Sequence, residues 1–388
     1  MPDASTRRAG APLTVGIEDE LFLHRAADGR LVSGAPDVLG PYDVYLVSGA
    51  IKAEVTDSQI ELTTHPCVGR RELLRALESL RAEAAALALE RGYLVLPTGT
   101  PLLGSVEEQT ISRSERYDVI RARFGRLVRE QQFSGLHVHV GIHDLDARAA
   151  ASNALRPWLP VLVALSANSP IWMGEDTGFA SWRVVNRVRW PISGPPPVWS
   201  SYADYQVHLD ELVDLGAAMD PGSIYWDVRL SHRYPTVEAR VADTPLTAAE
   251  AVLVACLVRA VAASALAGRS VPPIESHVLR SSVFAAARGG LNADIADPFH
   301  PHRTAAAPDA VRSLLDFVAD ELAAYGDREF VVEQVRLVLT RGCGATRQRE
   351  AVAAGAWTDA VRRHALRPHD VDVLDLSQAG TLATPEAE

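Results

Sequence analysis

The sequence predicts an α+β protein built on an antiparallel β-sheet. Short strand patterns are scattered among helical patterns along the chain, and some neighbouring strands are separated by turns too short to hold a helix. No regular alternation of single strands and helices occurs, which argues against a Rossmann fold or a barrel of parallel strands. Hydrophobic residues make up 47% of the chain and charged residues 22%, so a large core can form.

The first half of the chain contains most of the predicted strands. Residues 15–23 alternate as a strand, and a polar turn at Gly29 indicates a hairpin into Leu31 and Val32. Two more short strands are expected within residues 51–64. The other expected elements are a helix at 69–92, a strand at 93–97, a helix at 115–132, a strand at 136–142 and helices over 145–166.

The second half is expected to be mostly helical after one loop and one strand pair. Residues 174–197 include an SGPPP run that cannot form regular helix or central strand, so a long ordered loop is expected. Residues 226–243 predict two strands around a Tyr-Pro turn, and helices follow. The apolar stretch 246–268 is interrupted by Glu250 and Arg259, which favours a buried helix over a membrane span.

Charge and cysteine content limit the classes of partner and location. A net charge of -11 repels phosphate backbones and anionic lipids, so we expect small-molecule substrates and neither nucleic-acid nor membrane binding. The start of the chain lacks the apolar run of a signal peptide, and three widely spaced cysteines are typical of a reducing compartment. We expect a cytoplasmic protein with a disordered tail at 1–11, a single catalytic domain at 12–375 and a flexible tail at 376–388.

Lysine usage excludes one nucleotide-binding motif. Lys52 is the only lysine among 38 basic residues. No GxxxxGK[ST] phosphate loop is therefore present, and a catalytic Schiff base could form only on Lys52. A bound nucleotide would have to be held by arginines and metal ions.

Carboxylates recur at strand positions that share one face. Glu18 and Glu20 are two residues apart in a predicted strand, so both side chains project to the same side while Asp19 projects to the other. A solvated strand face would show the same spacing. Glu54 and Glu61, however, also lie among apolar neighbours, where an acidic group needs a partner.

Two further strands repeat this arrangement. In SGLHVHVG, His137 and His139 emerge on one side of the strand, as metal-binding histidines or as core histidines with local hydrogen bonds. In TVEAR, Glu238 and Arg240 share a face, where they could also form a simple ion pair.

Together these segments indicate a sheet face that binds hard cations. Several glutamate oxygens suit Mg²⁺, which bridges to phosphates, whereas zinc would prefer more histidine or cysteine. Arginine binds phosphate or carboxylate through two parallel hydrogen bonds. The arginines near the predicted site are Arg183, Arg187, Arg189, Arg229, Arg233 and Arg240.

At this point the sequence resembles a known family. The motifs GIEDE, QIELTT, SGLHVHVG, RWPISGPPPVW, WDVRLSHRYPTVEARVADTP and RGCGATRQRE are similar, in order, to those of glutamate-cysteine ligase type 2 proteins, which are ATP-dependent carboxylate-amine ligases. The resemblance implies a funnel-shaped antiparallel sheet with flanking helices, a glutamine synthetase-like fold, and commonly a homodimer. It also implies ATP and Mg²⁺ as cofactors and an acyl-phosphate intermediate formed on L-glutamate or a related carboxylate.

The resemblance also implies roles for individual residues. His139 and Arg240 would lie near the phosphates and the acyl centre, and Arg183 and Arg229 would position a carboxylate or phosphate. The implied metal ligands are Glu18, Glu20, Glu54, Glu61 and Glu238.

The chain departs from the family pattern at three positions. Asp19 replaces a more usual glutamate but faces away, so little change is expected. Ser282 and Phe284 stand where asparagine and tryptophan are typical, which leaves the role of that segment open. Members of the family are often poor at joining glutamate to cysteine, so we predict the type of reaction and leave the identity of the amine open.

Two alternative functions remain. One is a non-catalytic ATP-binding or ligand-binding regulatory protein, and the other is a metal-dependent hydrolase built on the two histidines.

Overall fold

An eight-stranded antiparallel sheet forms the centre of the structure. The computed structural model describes residues 12–300 and 302–368. The sheet has the strand order β11-β12-β6-β1-β4-β3-β2, and β5 pairs with the far end of β1. In chain order the strands are β1 (Val15–Arg25), β2 (Val44–Leu46), β3 (Gly49–Ala53), β4 (Gln59–Thr64), β5 (Tyr93–Leu96), β6 (Leu136–Gly141), β7 (Ile171–Trp172), β8 (Glu175–Asp176), β9 (Ser193–Gly194), β10 (Tyr225–Trp226), β11 (Val228–Leu230), β12 (Thr236–Ala239), β13 (Asp294–Ala296) and β14 (Thr304–Ala306).

Helices fill the intervals between strands and most of the C-terminal third. They are α1 (Ala35–Leu39), α2 (Arg70–Glu90), α3 (Glu115–Phe124), α4 (Arg126–Arg129), α5 (Leu145–Leu155), α6 (Leu159–Ser166), α7 (Trp182–Arg187), α8 (Tyr202–Asp214), α9 (Ala248–Leu266), α10 (Ser276–Gly289), α11 (Ala307–Phe317), α12 (Ala319–Ala324), α13 (Arg328–Arg341), α14 (Gly344–Ala353) and α15 (Trp357–His364). Short 3-10 turns occupy Val106–Glu108, Arg156–Trp158, Pro221–Ser223 and Gly290–Asn292.

The two faces of the sheet have opposite character. On one face, Ile17, Val138 and Val237 are buried in the main core with residues of α5, α6 and α9. Because side chains alternate along a strand, the neighbouring Glu18, His139 and Glu238 are directed to the other face. The helical layer therefore leaves the polar face of the sheet available for a functional site.

The apolar helix α9 begins with a capping box formed by Thr247 and Glu250. It is long and apolar enough to cross a membrane, but 72% of its most apolar window is buried inside the protein. The expectation of a buried helix in this stretch is confirmed. Cytoplasmic location stays a prediction.

Most of the expected strands and helices are present, with three corrections. The hairpin after Gly29 is reduced to one bridge between His24 and Leu31, because the chain soon turns into α1. The single helix expected at 115–132 is broken at Gly125, whose φ of +53° cannot continue a right-handed helix. The loop at 174–197 contains helix α7, whose first turn is capped by the Ser181 hydroxyl.

The sequence gives no signal strong enough to predict β2, which has three residues and lies at the sheet edge. The expected tails at 1–11 and 376–388 lie outside the described residues. A single catalytic domain over 12–375 stays a prediction.

Candidate active site

The strand register brings acidic and histidine side chains from four strands together. Residues directly opposite each other on antiparallel strands project to the same side, so each opposed pair adds to one surface. The opposed pairs are Glu20 with Glu61, Glu18 with His137, His139 with Glu238, and Glu238 with Arg229. We call the surface formed by Glu18, Glu20, Glu61, His137, His139 and Glu238 the acidic face.

Two sets of ligand atoms on the acidic face are close enough to hold a cation. One oxygen or nitrogen atom from each of Glu18, His137 and Glu238 lies within 4.8 Å of the others, and the same is true of Glu20, Glu61 and His137. Both sets include His137. The geometry therefore allows two neighbouring cation positions, of which a neutral His137 can serve only one at a time, since its ring has a single lone-pair nitrogen.

Glu18 lies between the two histidines. Its Oε2 is 3.1 Å from His137 Nδ1, and its Oε1 is 3.3 Å from His139 Nε2. Burial opposes ionisation of Glu18, but hydrogen bonds and charge from His137 and His139 hold its pKa well below the usual range. Glu18 is thus a charged carboxylate, as a metal ligand must be.

The histidine rings are held in different ways. His137 is buried, and burial together with the charge of Arg240 lowers its pKa, so its ring is neutral and able to bind a metal. His139 Nδ1 is 2.9 Å from Thr236 Oγ1, which orients the ring. Burial works against protonation of His139, but the charge of Glu238 and the bond to Glu18 outweigh it and raise the pKa.

The pKa values of Glu54 and Glu61 are shifted in the opposite direction from that of Glu18. Burial and the charge of Glu20 raise the pKa of Glu54 to about 8, and burial and the charge of Glu18 raise that of Glu61 well above its usual value. Carboxylates that repel one another in this way lack sufficient positive charge nearby. This donor set fits a bound divalent cation, which would supply that charge.

Glu238 already has positively charged partners. Arg229 Nε donates to its Oε2 at 2.7 Å, and Arg240 Nη1 donates to its Oε1. Burial alone would raise the pKa of Glu238, but Arg229 and Arg240 lower it strongly. The alternative of an ion pair between Glu238 and Arg240 is therefore also realised, although the Glu238 carboxylate still lies beside Glu18 and His137.

Arg183 lies behind the acidic face. Its side chain is 2% exposed, and its guanidinium donates to the backbone carbonyls of Arg240 and Val241 at 3.1 Å. Gly135 leaves the space that the guanidinium occupies, since a Cβ there would lie 2.0 Å from Arg183 Nη2. Direct contact between Arg183 and a substrate would require it to leave this enclosure.

The remaining arginines of the sequence analysis have partners outside the acidic face. Arg187 is buried and pairs with Asp227, and Arg189 pairs with Glu130. Arg233 is exposed and lies over the ring of Tyr234, 5.3 Å from its centroid.

Sequence reasoning gave both histidines as candidate metal ligands but assigned a role in the site to His139 alone, although both follow from the same alternation. The structure places His137 nearer the centre, with its Nε2 also 3.5 Å from Glu20 Oε1. Tyr117 was not considered because its charged helix gives no signal for it. Burial and the charges of Glu54 and Glu61 raise the pKa of Tyr117.

The profile of Glutamate-cysteine ligase family 2 matches residues 14–366 of this chain. The chain belongs to this family. A provisionally named glutamate-cysteine ligase 2-1 from Rhodococcus jostii is 39% identical over 355 residues, which cover 90% of this chain and 94% of the relative. A similarly named 2-2 protein from Mycolicibacterium vanbaalenii is 38% identical over 377 residues, covering 95% and 98%. The expected family and enzyme class, an ATP-dependent carboxylate-amine ligase, are confirmed.

Solved structures show the same fold at low sequence identity. A glutamate-cysteine ligase from Francisella tularensis, in complex with AMP, superposes with a TM-score of 0.68 at 16% identity, covering 91% of this chain and 88% of that one. A bifunctional glutathione synthetase from Pasteurella multocida gives 0.63 at 16% identity, covering 91% and 52%. The expected α+β ligase fold is confirmed.

Residues from several family motifs of this chain form a buried hydrogen-bond network next to the site. Asp243 accepts hydrogen bonds from the Asn168 backbone and from the hydroxyls of Ser169 and Ser181, at 2.7 to 2.9 Å. Gln348, from the RGCGATRQRE motif, donates to Asn168 at 2.6 and 2.8 Å. This buried network connects three distant segments directly behind Arg183, which lies 3.9 Å from Asp243.

The positions where this ligase departs from the family pattern lie off the acidic face. Asp19 is fully buried on the helical side, where Arg81 Nε donates to it at 2.8 Å. Ser282 accepts a hydrogen bond from the Ala296 backbone, and Phe284 packs edge-on against Phe179. These contacts assign Asp19 and Ser282 to holding the fold together.

Proposed function

We propose that this ligase joins the γ-carboxylate of L-glutamate, or a related carboxylate, to an amine such as L-cysteine. One observation supports this most strongly: two adjoining sets of cation ligands, sharing His137, on one face of the sheet. Phosphoryl transfer depends mainly on neutralising charge and aligning the reactants, and paired divalent cations are suited to both. The AMP bound to the Francisella relative supports a nucleotide as the phosphoryl donor.

The proposed reaction has two steps. A carboxylate oxygen attacks the γ-phosphorus of ATP, the bond from that phosphorus to the β-phosphate oxygen breaks, and ADP leaves. The amine nitrogen then attacks the acyl carbon, the bond from carbon to the phosphate oxygen breaks, and phosphate leaves as the nitrogen gives up a proton. Mg²⁺, when bound, would neutralise phosphate charge and hold the reacting groups in line.

The proposed metal ligands are Glu18, Glu20, Glu54, Glu61 and Glu238, with His137 added to them. Arg240 and Arg229 keep Glu238 ionised and fix both of its oxygens. His139, oriented by Thr236, remains the candidate to meet phosphate or acyl oxygens. Arg183 is assigned to positioning the backbone of Arg240 and Val241, since its guanidinium is enclosed.

The first experiment measures ADP release by the purified protein with ATP, Mg²⁺ and L-glutamate across cysteine, other amino acids and simple amines, with mass spectrometry of the products. ADP formed together with a γ-glutamyl amide supports the proposal and identifies the amine. Hydrolysis of a γ-glutamyl amide without ATP would instead indicate the hydrolase. ATP that protects the protein against heating while no pair releases ADP would indicate a regulatory binding protein. Cytoplasmic location and a homodimer stay predictions.

A further inference from the structure

Lys52 stands at the end of the acidic face that is farthest from Arg229 and Arg240. It lies on β3 directly opposite Glu61, and Glu61 lies directly opposite Glu20 on β1. Opposed residues of an antiparallel sheet have their Cβ atoms about 4.5–5.5 Å apart. Lys52, Glu61 and Glu20 therefore form one row, with the lysine at its outer end.

Among the residues that the structure describes, the half-buried Lys52 side chain forms neither an ion pair nor a hydrogen bond. Its charge nevertheless acts on Glu61, because it opposes the rise in the pKa of that carboxyl group. The register thus sets Lys52 beside a candidate cation ligand that it does not bind. The Lys52 ammonium is available to an anion that enters the site.

The composition of the chain gives independent support. Every other basic side chain among the 38 is arginine, so position 52 is the one place in the chain where a lysine occurs. This single lysine lies at the end of the acidic face. A chemical requirement for lysine at this position explains both observations together.

The arginines on the other side of the site indicate what that requirement is. Arg229 and Arg240 bind both oxygens of Glu238. A single arginine can also bind a carboxylate through two parallel hydrogen bonds, so an arginine at position 52 could hold Glu61 and withdraw it from a metal ion. A lysine provides a compact point charge without the planar pair of donors that matches a carboxylate.

We propose that Lys52 contacts the anionic oxygen atoms of the reactants, as a binding residue of the ligase reaction that leaves Glu61 free for the metal. This inference rests on the proposed function. Two reactants bear such oxygens, the phosphates of ATP and the carboxylate substrate. Lys52 would approach the reactants from one side of the cation positions, and Arg240 lies on the other side.

Because Lys52 is the only lysine, its amine can be followed by mass spectrometry after acetylation with an N-hydroxysuccinimide ester. The experiment uses the Arg336→Lys variant, whose added amine lies on an exposed helical surface and serves as an internal reference. We expect MgADP alone, or L-glutamate with Mg²⁺, to slow acetylation of Lys52 about tenfold at ten times its Kd, with no change at position 336. Protection by MgADP identifies phosphate as the partner, and protection by glutamate identifies the carboxylate.

Two variants test the requirement for lysine. We expect Lys52→Met to lower kcat by about 10²-fold, a typical loss when one donor to a charged reacting group is removed. Lys52→Arg should recover less than about a tenth of the wild-type kcat, because the guanidinium competes for Glu61, and it should weaken stabilisation by Mg²⁺.

Equal acetylation of Lys52 with and without both ligands would overturn the proposed contact, and so would wild-type kcat in Lys52→Met. Wild-type kcat in Lys52→Arg would overturn the requirement for lysine. Failure of the proposed function looks different, since no substrate pair would then release ADP from the wild-type protein. The acetylation measurement does not require turnover, so it decides the role of Lys52 in either case.

Discussion

Glu18 and His137 lie directly opposite each other on β1 and β6, with Glu18 Oε2 3.1 Å from His137 Nδ1. The same imidazole is also 3.5 Å from Glu20 through its Nε2. One histidine thus connects both sets of candidate cation ligands. Occupation of one cation position would constrain the ring that serves the other, so the two sets form a single site.

Glu61→Gln should abolish catalysis and leave the fold intact. Replacing the carboxylate by an amide removes a charged ligand, so we expect ADP formation to fall by at least about 10²-fold. Mg²⁺ at about 100 times its Kd should stabilise the wild-type protein by about 2.7 kcal/mol, and this gain should largely vanish in the variant. Glu18→Gln should behave in the same way. The measurements are ADP release and thermal unfolding with and without Mg²⁺.

Glu72→Gln on the surface of α2 is a matched control, since Glu72 is exposed and lies on the helical side. It should keep both ADP release and the response to Mg²⁺. Wild-type turnover in Glu61→Gln would show that the acidic face does not bind the catalytic metal.

Gly135→Ala should disturb the site by displacing Arg183, which packs against Gly135. The Gly135 backbone donates to Glu20 at 2.6 Å, and a Cβ at this position would lie 2.0 Å from Arg183 Nη2. Arg183 cannot move away easily because it is buried and bonded to two carbonyls. We expect destabilisation of about 1–3 kcal/mol and a clear loss of kcat, measured by denaturant unfolding and ADP release.

Gly69→Ala provides the comparison, because Gly69 has an extended backbone with φ of -95° and no heavy atom near the position of a new Cβ. It should be tolerated. Equal behaviour of the two alanine variants would mean that Gly135 is not needed to accommodate Arg183.

Strand alternation was sufficient to predict which side chains share a face, but not which strands are neighbours. The spacing of Glu18 and Glu20 places both on the polar side and Asp19 on the other, as observed. The register that sets Glu18 against His137 depends on a pairing between segments 119 residues apart. Such long-range pairing is determined by packing of the whole sheet, which local patterns do not contain.

Burial of charged groups was the least predictable feature. The family resemblance implied that Arg183 would position a ligand, yet it is enclosed under Gly135 and bonded to backbone carbonyls. Nothing near it in the sequence marks those partners, which lie 57 and 58 residues away. Lys52 was noticed only as a rare residue type, since its position opposite Glu61 required the register.

Asp327→Ala should strongly destabilise the helical layer. Arg259 Nη2 donates to Asp327 Oδ2 at 2.5 Å, and Arg70 Nε lies 3.4 Å from Oδ1. Arg259 is buried in the core helix α9, so losing its partner leaves an uncompensated buried charge. We expect a loss of about 3–5 kcal/mol in the free energy of unfolding, measured with urea. Glu333→Ala breaks an exposed pair with Arg336 and should have no measurable effect.

Acidification should unfold the protein partly through His24. This residue is fully buried with Nδ1 2.8 Å from the Gly29 carbonyl, and burial lowers its pKa from 6.5 to about 4. Between these values the unfolded chain binds a proton that the folded chain does not, so the free energy of unfolding falls as the pH drops from 6.5 toward 4. The contribution of His24 to this loss is about 3 kcal/mol.

Two variants test this role of His24. His24→Asn keeps a donor near Gly29 and cannot titrate, so the stability of this variant should depend less on pH between 6.5 and 4. His65→Gln, at an exposed position, should follow the wild-type curve, and identical slopes for His24→Asn and wild type would contradict the assignment.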